Sequence, residues 1–413
     1  TKAGPILDPY SPDSISDPVS LWARLREEAP VFEVPGSDHH FLISRYADVR
    51  RVCENFEVFS NELLASVQRG EDGRPRLLSA PSKDSPHGRV IGAADGEIHR
   101  RHRRLLSPAF SARRMKSFEE WLQSRAQELL DARSEEFDVM RVLAEPLPVQ
   151  AMAHLLGLPS EDWQRLFSWS ESAMELIGGL AEPAALPTLY ADLGALQAYL
   201  GENIERATAG PKHSTEDAGV IRLVSDAVAA GTIEIWEASG LLFQLVVAGS
   251  DTTVGLIGAA IRRLAEESPW AELLRKDRTQ IGSFIEETMR LDGPAIGNYR
   301  RATRETELGG VRIPEDATLT LLWGSANRDA REFTDPHRFD LDRPNLKSHL
   351  AFGHGTHFCI GASLARLEAR AAIESILDSA HSIELACASE DLRGVRSLFI
   401  RKLEGLPVRV SPG

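Results

Sequence analysis

Apolar residues recur at helical spacing through most of this chain, and polar or breaker-rich stretches mark where the helices stop. The pattern predicts an amphipathic helix from Pro18 to Glu28. Two short strands follow, Val31–Val34 and Phe41–Ser44, around a Pro-Gly-Ser-Asp turn. Tyr46 to Phe56 is helical again. Ser60 to Ile98 reads as the longest irregular stretch, rich in Gly, Pro, Ser and charge, and a loop that long usually carries function. Further helices are predicted at 99–107, 115–133, 139–156, 161–177 and 188–207, the last two separated by a breaker-rich segment at 178–187. Residues 210–217 read as an exposed polar loop, and a long apolar helix runs from Ile233 to Glu267. After Pro294 come short strands, Glu307–Ile313 and Thr318–Leu322, and a final helix starts behind Cys359. Helices dominate, with small sheets towards both ends. No repeat or clean linker divides the chain, so one domain is expected from 18 to 413, with 1–17 an extension.

Charge adds one asymmetry. The net charge of −14 argues against a nucleic-acid partner. Yet His99 to Lys116 carries Arg100, Arg101, Arg103, Arg104, Arg113, Arg114 and Lys116 and no carboxylate. Such a cluster on an acidic protein can steer a negatively charged partner, or it is simply a solvated helix face. The three cysteines, Cys53, Cys359 and Cys387, form no CxxC or disulfide framework, which fits a reducing compartment. The first residues hold no apolar run of signal or anchor length.

The chemistry concentrates in Phe352 to Gly361, Phe-Gly-His-Gly-Thr-His-Phe-Cys-Ile-Gly. Gly353, Gly355 and Gly361 allow tight turns and free amide N–H groups to point at sulfur. The helical spacing behind Cys359 puts it at a helix N-terminus, where the dipole favours a thiolate. A buried structural cysteine on a Gly-rich loop is the plainer alternative, and cysteine-protease chemistry lacks an orienting Asn or Asp signature. Every fixed position resembles the haem loop of the cytochrome P-450 family, Phe-Gly-x-Gly-x-His-x-Cys-x-Gly. The resemblance implies that fold, mainly α with small β-sheets, with haem b between the long central helix and the cysteine loop. It makes Cys359 the axial iron ligand and places Phe352, Gly353 and Gly361 against the haem.

Other motifs agree with this resemblance. Ala248-Gly249-Ser250-Asp251-Thr252-Thr253 is similar to the family's oxygen-activation element. There the glycine marks a local opening of the helix beside iron, Ala248 and Gly249 border the haem, and Asp251 and Thr252 deliver protons to bound oxygen. On its own, Asp-Thr-Thr could be a polar patch that bends a helix. Glu287-Thr-Met-Arg290 resembles Glu-x-x-Arg, whose i, i+3 spacing pairs the two side chains, and Arg338 in Asp335-Pro-His-Arg338-Phe339 is expected to complete a structural triad with them. His99 and Arg103 resemble the His-x-x-x-Arg that neutralises the haem propionates, although the lead-in Asp95-Gly96-Glu97 departs from the usual Asp-Pro-Pro-Glu. Arg300 and His357 complete the donor set, with Arg301 the impostor if the register slips by one.

Above the iron, helical periodicity puts Leu241, Gln244, Leu245 and Ala248 on the face of Thr252. Gln244 is either a polar substrate contact or a satisfied buried amide. Ile296, Asn298, Phe399 and Ile400 match pocket-lining regions of the family. Arg69, Arg74, Arg76, Lys83 and Arg89 could hold an anionic substrate or be a solvated charged loop. The family implies a monooxygenase acting on a small organic molecule with O2, in the cytoplasm and without a membrane anchor. Its electrons come from a ferredoxin-type partner docking near Arg100, Arg104 and Arg113. Peroxide-driven oxidation, or a haem sensor that never turns over, are the alternatives.

Overall fold

The structure, a computed structural model, describes residues 7–63, 65–70, 72–79, 90–209 and 219–411. The loop expected at 210–217, Lys83 and Arg89 lie outside these. In chain order the helices are α1 (Pro12–Ser16), α2 (Pro18–Glu28), α3 (Tyr46–Glu54), α4 (Gly96–Leu106), α5 (Ala112–Asp131), α6 (Pro146–Leu156) and α7 (Trp163–Ile177). They continue as α8 (Leu186–Ala209), α9 (Val220–Ala229), α10 (Ile235–Glu266), α11 (Ser268–Lys276), α12 (Ile281–Asp292), α13 (Trp323–Ala326) and α14 (Ala362–Ser379). The long apolar helix is α10. Its start is fixed by a capping box, in which the Glu234 amide donates to Glu237 (2.9 Å). By length and composition α10 could cross a membrane, but 67% of its most apolar stretch is buried among its neighbours, as in a core helix. Residues of α5, α6, α9, α12 and α14 share its core cluster.

Five strands form the main sheet, in the order β1 (Val31–Glu33), β2 (His40–Ile43), β10 (Thr318–Leu322), β7 (Gly297–Ala302) and β3 (Phe59–Ser60). Only β2 and β10 run parallel within it. A second sheet joins β11 (Ser382–Leu385), β12 (Pro407–Ser411) and β6 (Glu136–Asp138). Two hairpins stand apart: β4 (Ala65–Arg69) with β5 (Pro75–Ser79), and β8 (Thr306–Leu308) with β9 (Val311–Ile313).

Several boundaries differ from expectation, each for a local reason. The stretch 60–98 is not wholly irregular, because β4 and β5 pair across it and α4 already begins at Gly96. The strand expected at 307–313 is the β8–β9 hairpin, turning at Gly309 and Gly310 with φ of +59° and +80°, the left-handed pair that a two-residue turn needs. The helix expected at 139–156 starts as one wide turn, with the Glu145 amide donating to Met140 O (2.9 Å), before α6 restarts at Pro146. Proline has no N–H to continue the ladder, so the extra residue absorbs the break.

Candidate functional site

The cysteine loop is a tight backbone structure. Gly353 (φ +73°) and Gly355 (φ +69°) take left-handed turns. A side chain on Gly355 would sit 2.9 Å from the Cys53 carbonyl, so the loop lies directly on the end of α3. The Cys359 amide donates to Phe352 O (2.9 Å), and Arg103 of α4 reaches across to Phe358 O (2.7 Å). Cys359 is accessible to solvent yet crowded by protein, with Arg103 and Arg366 near its sulfur. One expectation needs correcting. α14 begins only at Ala362, and burial pushes the thiol pKa up. The Gly361 and Ala362 amides, with Arg103 and Arg366, pull it down but do not prevail.

Helix α10 supplies the other accessible surface. Within this buried rod Ala248 is exposed and Gln244, Gly249 and Thr252 are partly so, one stripe at helical spacing. Leu241 is wholly buried and Leu245 nearly so, and both belong to the core, which corrects the assignment of Leu241 to the pocket face. Ile400 is buried at 2% exposure and Ile296 at 8%, while Asn298 and Phe399 are half-buried. The helix is continuous through Gly249 rather than opened there. A side chain there would have to displace the flexible end of Met152 from α6, whose Cε lies 2.0 Å from where a Cβ would stand. The Thr252 hydroxyl donates to Ala248 O (2.7 Å), and the neighbouring Asp251 turns the other way, into protein.

Asp251 is almost fully buried and meets Lys402 Nζ at 2.5 Å; Lys402 also reaches Glu171 of α7 at 3.3 Å. Burial pushes the Asp251 carboxyl above its ordinary range against the pull of Lys402. The ammonium, desolvated but facing two carboxylates, is held protonated. Lys402 had no signal in the sequence. It reaches α10 because Gly255, one turn beyond Asp251, leaves room for the backbone at Arg401, whose carbonyl would lie 2.8 Å from a Cβ there.

Cationic and imidazole groups gather near the cysteine loop. His99 and His357 pack with ring centroids 4.0 Å apart and planes tilted by 39°, and His99 Nδ1 is buried with no partner. Burial, then the nearby His357 and Arg103, push the His99 pKa down to about 4. Arg300 is 4% exposed and bonds only the Tyr299 carbonyl, with no carboxylate in ion-pair range among the described residues. Arg301 faces outward to Asp316 (2.8 Å) and the Glu62 carbonyl, so the register favours Arg300. Sequence reasoning missed Asp95. It accepts from the Ser60 hydroxyl, the Asn61 amide and His357 Nε2 (2.6, 2.8 and 2.9 Å). Against the upward push of burial, these donors hold its carboxyl at about 2.

The structural triad forms with a different member. Arg290 grips Glu287 through Nε and Nη2 (both 2.7 Å), and the third side chain is Arg343, whose Nε lies 3.2 Å from the same carboxylate. Arg338 is exposed and offers only its carbonyl, to Arg290 and Arg343 (3.1 and 2.8 Å). Gln244 likewise departs from a free substrate contact, because its Oε1 accepts from the Gly92 amide (3.0 Å). The hairpin arginines are engaged too: Arg69 with Glu182 (2.5 Å), Arg76 with Asp72 (2.5 Å) and Arg74 with Asp8 (3.9 Å).

A solvent-accessible thiol, a buried guanidinium without a carboxylate partner and an unsatisfied histidine together fit haem, which brings iron for the sulfur and two carboxylates for the donors. The comparisons agree. The family model described as Cytochrome P450 matches residues 237–381. Cytochrome P450 144 of Mycobacterium tuberculosis is 32% identical over 404 residues, 97% of this chain and 91% of that one. The vitamin D(3) 25-hydroxylase of Pseudonocardia autotrophica is 31% identical, covering 98% and 96%. Among solved structures, cytochrome P450 CREJ in complex with (4-ethylphenyl) dihydrogen phosphate superposes with a TM-score of 0.88 at 25% identity, over 98% of this chain and 100% of that one. With relatives this similar along its whole length, the chain belongs to the cytochrome P450 family of haem-thiolate monooxygenases.

Proposed function

We propose that this monooxygenase, which works with haem b and O2, hydroxylates a neutral, largely apolar small molecule using electrons from a ferredoxin-type partner in the cytoplasm. The observation that carries the substrate class is that no spare charge stands at these positions among the described residues, which leave out Lys83 and Arg89. Arg69, Arg74 and Arg76 are each ion-paired, Gln244 is tied to Gly92, and the half-buried Phe399 beside Ile296 is apolar. Charging such a wall with an acid would bury an uncompensated carboxylate. The relatives do not decide the class, since one acts on vitamin D(3) and a structural neighbour holds an aryl phosphate.

In this reading Cys359 would hold the haem iron through its sulfur, and Arg103, Arg300, His99 and His357 would hold the propionates. Haem bound there would supply activation of O2, with one oxygen atom going into a C–H bond and the other leaving as water. The protein delivers two protons for that water. Thr252 offers a hydroxyl on the accessible face of α10, and Asp251 relays protons behind it. Asp251 is replenished from the surface through Lys402 and Glu171, whose carboxylate is 43% exposed. Electrons enter on the side of Arg103, where Arg100, paired with Glu97 (2.8 Å), and the exposed Arg104 and Arg113 form the basic face that an acidic partner would meet.

A spin-state titration of the ferric protein with matched pairs of carboxylic acids and their neutral methyl esters tests the substrate class. Neutral members are expected to shift the Soret band and the acids are not. A shift selective for acids refutes the proposal.

A further inference from the structure

The segment 90–95 runs along α10 from Gly240 towards the accessible stripe, and two glycines make the contact possible. A Cβ on Gly240 would meet Val90 Cγ1 at 2.9 Å, and one on Gly92 would meet Gln244 Nε2 at 2.2 Å. Helix and segment are therefore in direct contact at positions i and i+4 of one helical face. Ile91 anchors the segment in the main core, and Asp95 ties its far end to Ser60, Asn61 and His357. Between these anchors, the bond from the Gly92 amide to Gln244 Oε1 is the one hydrogen bond joining the segment to α10 among the described residues. The next turn of the helix on that face is Ala248, exposed, and then Thr252.

We infer that Gln244 is a specificity-determining latch. Its carboxamide holds residues 90–92 against α10 and so limits how bulky a ligand reaches the Ala248–Thr252 face, and it does not itself bind the substrate. The inference rests on the proposal that this face borders the haem pocket. A single amide hydrogen bond is the right strength for such a device. Losing it raises the opened population about fivefold, enough to alter entry without unfolding the segment, which Ile91 and Asp95 still anchor. A small ligand passes whether the latch is closed or open, whereas a larger one has to wait for opening.

The holoenzyme tests this with two nitrogenous iron ligands of different bulk, imidazole and 4-phenylimidazole, followed by the Soret shift, and with hydrogen exchange of the peptide containing Gly92. In Gln244→Leu, 4-phenylimidazole is expected to associate about fivefold faster and the Gly92 peptide to exchange faster by a similar factor, with imidazole association within about twofold of wild type. Gly92→Ala should reproduce both changes, because the added methyl displaces the carboxamide while leaving it present. Gln244→Glu keeps the acceptor and should restore wild-type behaviour. The latch is refuted if Gln244→Leu changes ligand binding while exchange at Gly92 stays as in wild type, or if Gly92→Ala changes neither. Those results would make Gln244 a direct ligand contact or a bystander. If imidazole fails to perturb the Soret band of wild type, the pocket proposal falls instead, and hydrogen exchange alone still decides whether the latch exists.

Discussion

Asp251→Asn is expected to slow product formation by about 10²- to 10⁴-fold while leaving haem content and substrate affinity unchanged. Asparagine preserves shape and hydrogen bonding but cannot hold or pass a proton. Its neutral amide also releases Lys402, which keeps Glu171 as its only carboxylate partner among the described residues. Lys402→Met removes the same path one step further out. Asp251 then sits buried without its cation, burial pushes its carboxyl further up, and its route to the surface is cut, so proton resupply slows. A solvent deuterium isotope effect on NADH-driven turnover should therefore grow in both variants. The measurement is product formed per NADH consumed in H2O and D2O. Turnover of Asp251→Asn within twofold of wild type would remove the carboxylate from the mechanism and reopen a peroxide-driven reaction, which brings its own protons.

The second large effect is on stability. Glu287→Ala should cost about 3–5 kcal/mol, because it strands two buried guanidinium groups, Arg290 at 0% and Arg343 at 6% exposure. Arg343→Ala should approach that cost, since Glu287 Oε1 would keep only Arg290 Nη2 and the Asp340 amide. Arg338→Ala should be near neutral, because only its carbonyl takes part. Urea denaturation of the three holo variants reads this directly. A loss at Arg338 equal to that at Arg343 would contradict the geometry.

The contrast between those two arginines shows where the sequence was legible and where it was not. Motifs whose partners lie within one helical turn could be read outright, as with Glu287 and Arg290, because the 3.6-residue period fixes their geometry. The third member comes from an irregular segment, where spacing carries no geometry, so the resemblance pointed to Arg338 while the fold brought Arg343 to the carboxylate. The β4–β5 hairpin had a visible cue in Asp72-Gly73, outweighed by the surrounding Gly, Pro and charge. Asp95, Lys402 and the Gln244–Gly92 bond depend on residues brought together from distant parts of the chain, and no local pattern announces them. The resemblance gave Gly249 a local opening of the helix, whereas the fold brings Met152 from another helix against it. A glycine reports that something approaches closely; it does not say what.

Placing Lys402 over Asp251 has a consequence for the order in which the molecule is made. About 150 residues separate the acid from its cation, and Glu136–Asp138 waits longer still, about 270 residues, for its strand partner at Pro407–Ser411. During synthesis the central helix therefore emerges with an unpaired carboxyl at its middle and an unfilled groove at Gly255. Domain-wise folding from the N-terminus cannot close this centre. Its completion is a late event, set by the arrival of the turn at Arg401 and Lys402, and ribosome-bound chains that stop before that turn should remain susceptible to protease around α10.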